Sequence, residues 1–219
     1  MARFLGIARV MAVIAAFDVD GTLTSRDCVW PFLAEITGRA GLASIVGRRS
    51  LPLLRAAAQR NRDRAKQLLV GGVFVGRSVE SVDVVGERFA GMVYDSWMRP
   101  DTLARLRWHQ ENGHRIVLVS ASLGPYLRPL GRRLGADDVL CTDVRQENGV
   151  YLDTLEGGNC RGSEKVRRLD AWLEATGERD SLLWAYGDSR GDADLLGRVD
   201  RPEYVRHRVL SATPEEVIR

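Results

Sequence analysis

The chain has 219 residues, 45% of them hydrophobic and 28% charged, and a formal net charge of +3. That length suits one core domain with a substantial insertion, or two small domains, and the composition is that of an ordinary globular protein able to bury a core. Three widely spaced cysteines, Cys28, Cys141 and Cys160, contain no C-x-x-C pair; this argues against a disulfide framework and a cysteine zinc site and fits a reducing cytosol, so a cytoplasmic location is expected.

Met1 to Ala16 is apolar with Arg3 and Arg9, which gives it a superficial likeness to a secretory signal. Arg9 interrupts the run, and removing the segment would delete the strand that follows, so a signal is not expected. Met11 is a candidate start, which makes residues 1–10 an N-terminal extension. No stretch reaches the roughly 18 uninterrupted apolar residues of a membrane-spanning helix.

Ala12 to Phe17 is a short apolar run ending in turn residues, the pattern of a strand buried on both faces in a parallel sheet. Asp18 and Asp20 leave its carboxyl end together, followed by Gly21 and Thr22 in a tight turn. Ligands of open α/β sheets bind at that edge.

Residues 24–100 are mostly helical in pattern. Asp27 can cap a helix starting near Cys28 with Pro31 in its first turn, and Gly38 and Gly41 interrupt it. A second helix is expected from about Ser50 to Val70, ending at Gly71-Gly72, and a third from about Ser78 to Trp97. Pro100 closes the block, which lies between two strand-plus-site units and is therefore an inserted helical cap. Within it, Arg48 to Lys66 carries seven basic residues against one acid, Asp63. Such a run is a solvated helix face, or it attracts an anionic substrate or an acidic membrane surface, giving peripheral membrane contact. It holds no aromatic residue to stack on a base, so no nucleic-acid partner is expected.

A helix at Asp101–Gln110 precedes a second buried strand, Ile116–Val119, with Ser120 at its carboxyl end. Leu123–Leu134 is a helix and Asp138–Cys141 a short strand; Asn148-Gly149 then marks a small β-hairpin. Ser163 to Ala175 is a helix with Lys165 near its first turn, and Leu182 to Tyr186 is a further buried strand. That strand ends in Gly187-Asp188-Ser-Arg-Gly-Asp192, whose two acids four apart can both face the first pair; Glu203–His207 is a last edge strand.

Together, Asp18-x-Asp20-Gly21-Thr22, Ser120, Lys165 and Asp188/Asp192 resemble, in order and spacing, the four motifs of the haloacid dehalogenase (HAD) superfamily, over roughly residues 11–200. The resemblance implies an α/β fold: a Rossmann-like parallel sheet with helices on both faces, formed by residues 11–23 and 101–219, plus an α-helical C1 cap over 24–100 and the hairpin. It implies a Mg²⁺-dependent phosphomonoesterase acting through an aspartyl-phosphate on a small phosphorylated metabolite or phospholipid head group. Asp18 would be the nucleophile and Asp20 the general acid and base. Gly21, Thr22, Ser120 and the Ala121 N–H would surround the phosphate, and Lys165 would offset charge. The metal set would be Asp18, Asp20 through its backbone carbonyl, Asp188 and, orienting a ligand, Asp192.

The helical block resembles the phosphoserine-phosphatase-like branch, subfamily IB. There an acid nine residues after the nucleophile recognises the substrate amine, the position of Asp27 here. The usual Ser-Gly-Gly of the second motif is Ser120-Ala121-Ser122, a departure. The third motif, Cys160-Arg-Gly-Ser-Glu-Lys165, is similar to that of phosphatidylglycerophosphatase C. Counted from Gly162, the phosphoserine-phosphatase lysine falls instead at Arg161; the compact charge of an ammonium favours Lys165. The alternative of a different class is a non-catalytic phosphate-binding protein on the same fold, which would not need both Asp18 and Asp20.

Overall fold

The computed structural model of the protein describes residues 11–206 and 208–214. The N-terminal extension, residues 1–10, and His207 at the end of the expected edge strand lie outside the described residues.

Among the described residues six strands form one sheet: β1 (Val13–Phe17), β2 (Arg115–Leu123), β3 (Asp138–Glu147), β4 (Val150–Glu156), β5 (Leu182–Gly187) and β6 (Arg201–Tyr204), in the order β4-β3-β2-β1-β5-β6. All pairs are parallel except β3 with β4. Phe17 stands opposite both Leu118 and Tyr186, so the pairing of β1 with its two neighbours ends at one level, although β2 itself runs on to Leu123. That register brings Asp18, Ser120 and Asp188 to one edge although they are far apart in sequence.

The strand period of two sorts the core into two layers. Ala15, Phe17, Leu118 and Tyr186 face one side; Ile14, Ala16, Val117, Val119, Leu183 and Ala185 face the other. The second side is covered by α7 (Ser163–Thr176), through Leu169, Trp172 and Leu173, and by Leu195 of α8 (Ala193–Arg198). The first side is covered by α5 (Pro100–Glu111), α6 (Gly124–Leu134) and the helices of the inserted segment.

Those helices are α1 (Val29–Arg48), α2 (Ser50–Ala58), α3 (Arg62–Phe74) and α4 (Val79–Ser96). Gly38, at φ 71°, breaks α1 internally, whereas Gly41 is helical. The expected second helix is two: Arg60, at φ 52°, turns the chain between α2 and α3. Nor does Gly71-Gly72 end it. α3 runs through both glycines, and Gly71 lies against the Asp153 carbonyl of β4, where a Cβ would collide. Gly86 of α4 meets the Pro125 carbonyl of α6 in the same way. These glycines are there for close packing, not for chain reversal. Phe32, Phe89 and Tyr126 close the joint, with Tyr126 4.7 Å and Phe89 5.2 Å from Phe32 between ring centroids. The apolar cluster is continuous from the sheet into this segment.

β3 is longer than the expected Asp138–Cys141, because one strand serves both the parallel pairing to β2 and the hairpin to β4. Asn148 (φ 50°) and Gly149 (φ 76°) form the left-handed two-residue turn that matches strand twist. The three cysteines are free and buried. Among the described residues no helix is long and apolar enough to cross a membrane.

Candidate active site

Beyond β1 the chain turns at once. The Val19 carbonyl accepts from the backbone N–H groups of Thr22 (3.2 Å) and Thr24 (2.9 Å), with Gly21 at φ 82°. Glycine is required there twice over. The backbone is left-handed, and a Cβ would run into the Asp188 carboxylate, which lies over Gly21. Thr22 is buried behind the turn; its Oγ1 is 3.4 Å from Asp18 Oδ2, and its carbonyl accepts from Thr102 Oγ1 at 2.7 Å. Asp18 itself continues the β1–β5 ladder, its N–H donating to the Tyr186 carbonyl at 3.0 Å.

Lys165, in the first turn of α7 and 1% exposed, projects its ammonium between two carboxylates. Nζ donates to Asp18 Oδ1 and to Asp192 Oδ1, both at 2.6 Å. Burial works against the ammonium, but the two carboxylates outweigh it and hold the Lys165 pKa above its ordinary value. Asp192 spends its other oxygen on Ser189, accepting from the N–H at 3.0 Å and from Oγ at 2.8 Å. Burial raises the Asp18 carboxyl, with Lys165 opposing and Asp192 and Asp20 adding. Asp188 is raised by burial and then by Asp192.

Asp20 is held differently. Oδ1 accepts from the Cys28 backbone N–H at 2.9 Å and Oδ2 from Ser122 Oγ at 2.7 Å. Burial, then the charge of Asp27, pushes its pKa up to about 6, while the two hydrogen bonds pull it down. Its side chain stands apart from the acidic group formed by Asp18, Asp188 and Asp192, each of which offers an oxygen within 4.8 Å of the others. That group has only oxygen donors and three carboxylates for one buried ammonium. An excess of negative charge on hard ligands fits a small divalent cation.

Ser120 is buried in β2 just past its pairing with β1, where the register with β3 shifts, its Oγ accepting from the Ser122 N–H at 3.2 Å. Ala121 lies between them in the wall of the site. Asp27 is at the rim and caps α1, Oδ1 accepting from the Trp30 N–H at 3.2 Å. Every residue singled out from sequence except Thr22 lines one cleft of about 310 Å³. Arg161 also lines the cleft, its side chain packed over Gly191, but Lys165 is the cation that hydrogen-bonds Asp18. Two larger hollows, of about 650 and 930 Å³, lie elsewhere; acids line the first, among them Asp83, Glu87 and Asp143, but among the described residues neither hollow holds three acids with oxygens close enough to share a metal ion.

Three contributors were not singled out as site residues from sequence. Ser122 shares a face with Ser120, two residues apart in a strand, and that alternation was the available clue. Ser189 fixes Asp192. Lys66, one of the basic run, turns inward and donates to the Ala121 carbonyl and to Asn159 Oδ1, the latter at 2.8 Å. Nothing in a charge run says which member turns in.

Residues 15–197 match the family described as haloacid dehalogenase-like hydrolase. Protein CicA of Caulobacter vibrioides is 35% identical over 214 residues, covering 93% of this chain and 94% of that protein. Probable phosphatase Rv3661 of Mycobacterium tuberculosis is 25% identical over 206 residues, covering 91% and 71%. A structure of a protein of unknown function from Bordetella pertussis Tohama I superposes with a TM-score of 0.74 at 26% identity, over 88% of this chain and 89% of that one. A substrate-bound phosphoserine phosphatase shares the fold, with a TM-score of 0.59 at 16% identity over 87% and 84%.

Proposed function

Because the chain belongs to the haloacid dehalogenase-like hydrolase family, we propose that it is a Mg²⁺-dependent phosphatase that passes the phosphoryl group first to Asp18 and then to water. One observation carries the reading. Asp18 is fixed at the sheet edge by Lys165, while a second acid, Asp20, is held outside the metal group with a pKa near 6. A nucleophile and a proton carrier are thus separated by their surroundings.

The Asp18 carboxylate attacks phosphorus as the ester P–O bond breaks, and Asp20 gives its proton to the departing alkoxide. Asp20 then takes a proton from the water that attacks phosphorus, which frees phosphate and restores Asp18. The Ser120 hydroxyl and Ala121 N–H hold phosphoryl oxygens, and Lys165 balances the charge on Asp18. The Asp18 carboxylate, the Asp20 backbone carbonyl and Asp188 would hold Mg²⁺, which offsets the charge of the phosphoryl oxygens. Asp192, committed to Lys165 and Ser189, orients its neighbours. The phosphatase named among the relatives supports this reading.

The substrate is a small phosphomonoester or a phospholipid head group. Phosphoserine is the narrower reading, favoured by the presence of Asp27 on the cleft wall. The test is Mg²⁺-dependent release of phosphate from p-nitrophenyl phosphate, with Asp18→Asn as the blank. Wild type at the rate of that variant would end the phosphatase reading.

A further inference from the structure

The charge of the molecule is unevenly placed. Between Glu35 and Glu80 there are nine basic residues and one acid, Asp63, which leaves 23 basic and 28 acidic residues for the rest of the chain. The basic stretch runs from Arg39 in the middle of α1 through α2 and α3 to Arg77 before α4. Of its cations, Lys66 turns into the site, Arg77 donates to the Val73 carbonyl, and the Arg49 side chain packs against Gly72. Arg48, Arg55, Arg60, Arg62 and Arg64 are exposed. Arg64 shares a hydrogen bond with Gln67, and the single acid, Asp63, is occupied by Asn159. None of the five arginines makes an ion pair among the described residues, and none lines the cleft.

Apolar side chains stand among these charges. Leu51 is 58% exposed and Leu54 66% exposed, three residues apart on the outer face of α2, with Arg55 and Ala58 completing that face. A helix showing leucine outward with unpaired arginines beside it has the make-up of a segment lying in a membrane interface.

We propose that the corner formed by α2 and the start of α3 docks on an anionic phospholipid bilayer, with Leu51 and Leu54 entering the headgroup boundary and the five arginines facing lipid phosphates. Charge complementarity selects the partner. The arginines lie outside the cleft, so a soluble phosphorylated substrate does not account for them. A nucleic acid accounts for the charge but not for two outward leucines, and the patch has no aromatic residue for a base. Docking would place a membrane beside the helix whose Lys66 touches the cleft wall.

The experiment is co-sedimentation of the full chain with vesicles of phosphatidylcholine, and with vesicles of phosphatidylcholine and phosphatidylglycerol mixed two to one. The protein should pellet with the mixed vesicles only, and added salt should release it. Arg55→Glu with Arg62→Glu should cut partitioning by about tenfold or more. Leu51→Ser with Leu54→Ser should cut it by about tenfold as well, with thermal melting showing each variant folded. Arg145→Glu, an exposed reversal on the β3–β4 hairpin, should leave partitioning unchanged. Failure to pellet at low salt overturns the proposal, as do leucine variants that bind like wild type or an equal loss in Arg145→Glu. Retention of duplex DNA in place of mixed vesicles also overturns it. The assay reads no phosphate release, so its failure is separate from failure of the phosphatase reading.

Discussion

Ser122 Oγ donates to Asp20 Oδ2 at 2.7 Å, joining the end of β2 to the turn after β1. With the Cys28 N–H on the other oxygen, the Asp20 carboxyl is held from two sides before any substrate arrives. Both donors favour its charged form, while burial and Asp27 favour the neutral one, and the balance sits near neutrality at about 6. Ser122 therefore sets both where the proton carrier points and how tightly it keeps its proton.

Removing the hydroxyl should move that balance in a definite direction. Ser122→Ala deletes a donor to the carboxylate, so the Asp20 pKa rises. A hydrogen bond to a charged group is worth about 1.5–3 kcal/mol, or roughly one to two pH units. The pH–rate profile of p-nitrophenyl phosphate hydrolysis should shift its acid limb upward by about one unit, with kcat reduced more than KM is raised. An unmoved limb would mean that Ser122 only fills space.

Lys165 and Arg161 are separated by two variants. Lys165→Ala leaves Asp18 and Asp192 facing each other without the shared ammonium, the loss of one partner from a buried pair, which costs about 3–5 kcal/mol. Melting temperature should fall and turnover should be lost. Arg161→Ala trims a side chain that makes no hydrogen bond to Asp18 and should keep the melting temperature, with most of the turnover retained. The reverse outcome, a silent Lys165→Ala, would assign the third-motif role to Arg161.

The layout of the sheet was legible because buried strands show in apolar runs, and Asp18, Ser120 and Asp188 each follow one. Register then brings them together, with no demand on side-chain detail. The Asn148-Gly149 turn was equally readable, since few residues accept left-handed backbone. The inserted segment was less so, and Gly71-Gly72 shows why. Glycine in a helix reads as a stop, but here it admits the backbone of β4, a contact that exists only in the tertiary fold. Arg60 is the opposite case, a non-glycine residue in left-handed backbone that splits a helix with no sequence mark. The inward turn of Lys66 and the Asp20–Ser122 bond depend on neighbours 55 and 102 residues away.

Cation binding should be linked to protons. Burial raises the Asp18 carboxyl to about 7, so near neutrality it is partly protonated before the ion binds and a divalent ion must displace that proton; Asp188 is raised in the same direction. Mg²⁺ affinity should fall as pH falls. Calorimetric titration in two buffers of different ionisation enthalpy should show proton release on binding at neutral pH. Mg²⁺ at about 100 times its Kd should add about 2.7 kcal/mol of stability, an increment that Asp188→Asn loses. Binding without proton release, or an unchanged increment in Asp188→Asn, would place the ion elsewhere.

His109 supplies a prediction away from the chemistry. It is buried on α5, its Nε2 2.8 Å from the Tyr186 hydroxyl and its Nδ1 2.7 Å from His114 Nδ1. Burial, then His114 and Arg105, lowers its pKa from 6.5 to about 3. The unfolded chain takes up a proton at this residue below about 6.5, while the folded chain resists it until about 3. The contribution of neutral His109 is therefore complete above the unfolded value and is lost progressively as pH falls between the two. Denaturant midpoints should decline from pH 7 towards pH 4, and the decline should be shallower in His109→Gln, which cannot take up the proton. Nitrogen NMR should find His109 still neutral at pH 5; an imidazole titrating near 6.5 would show that the Tyr186 side of α5 admits water.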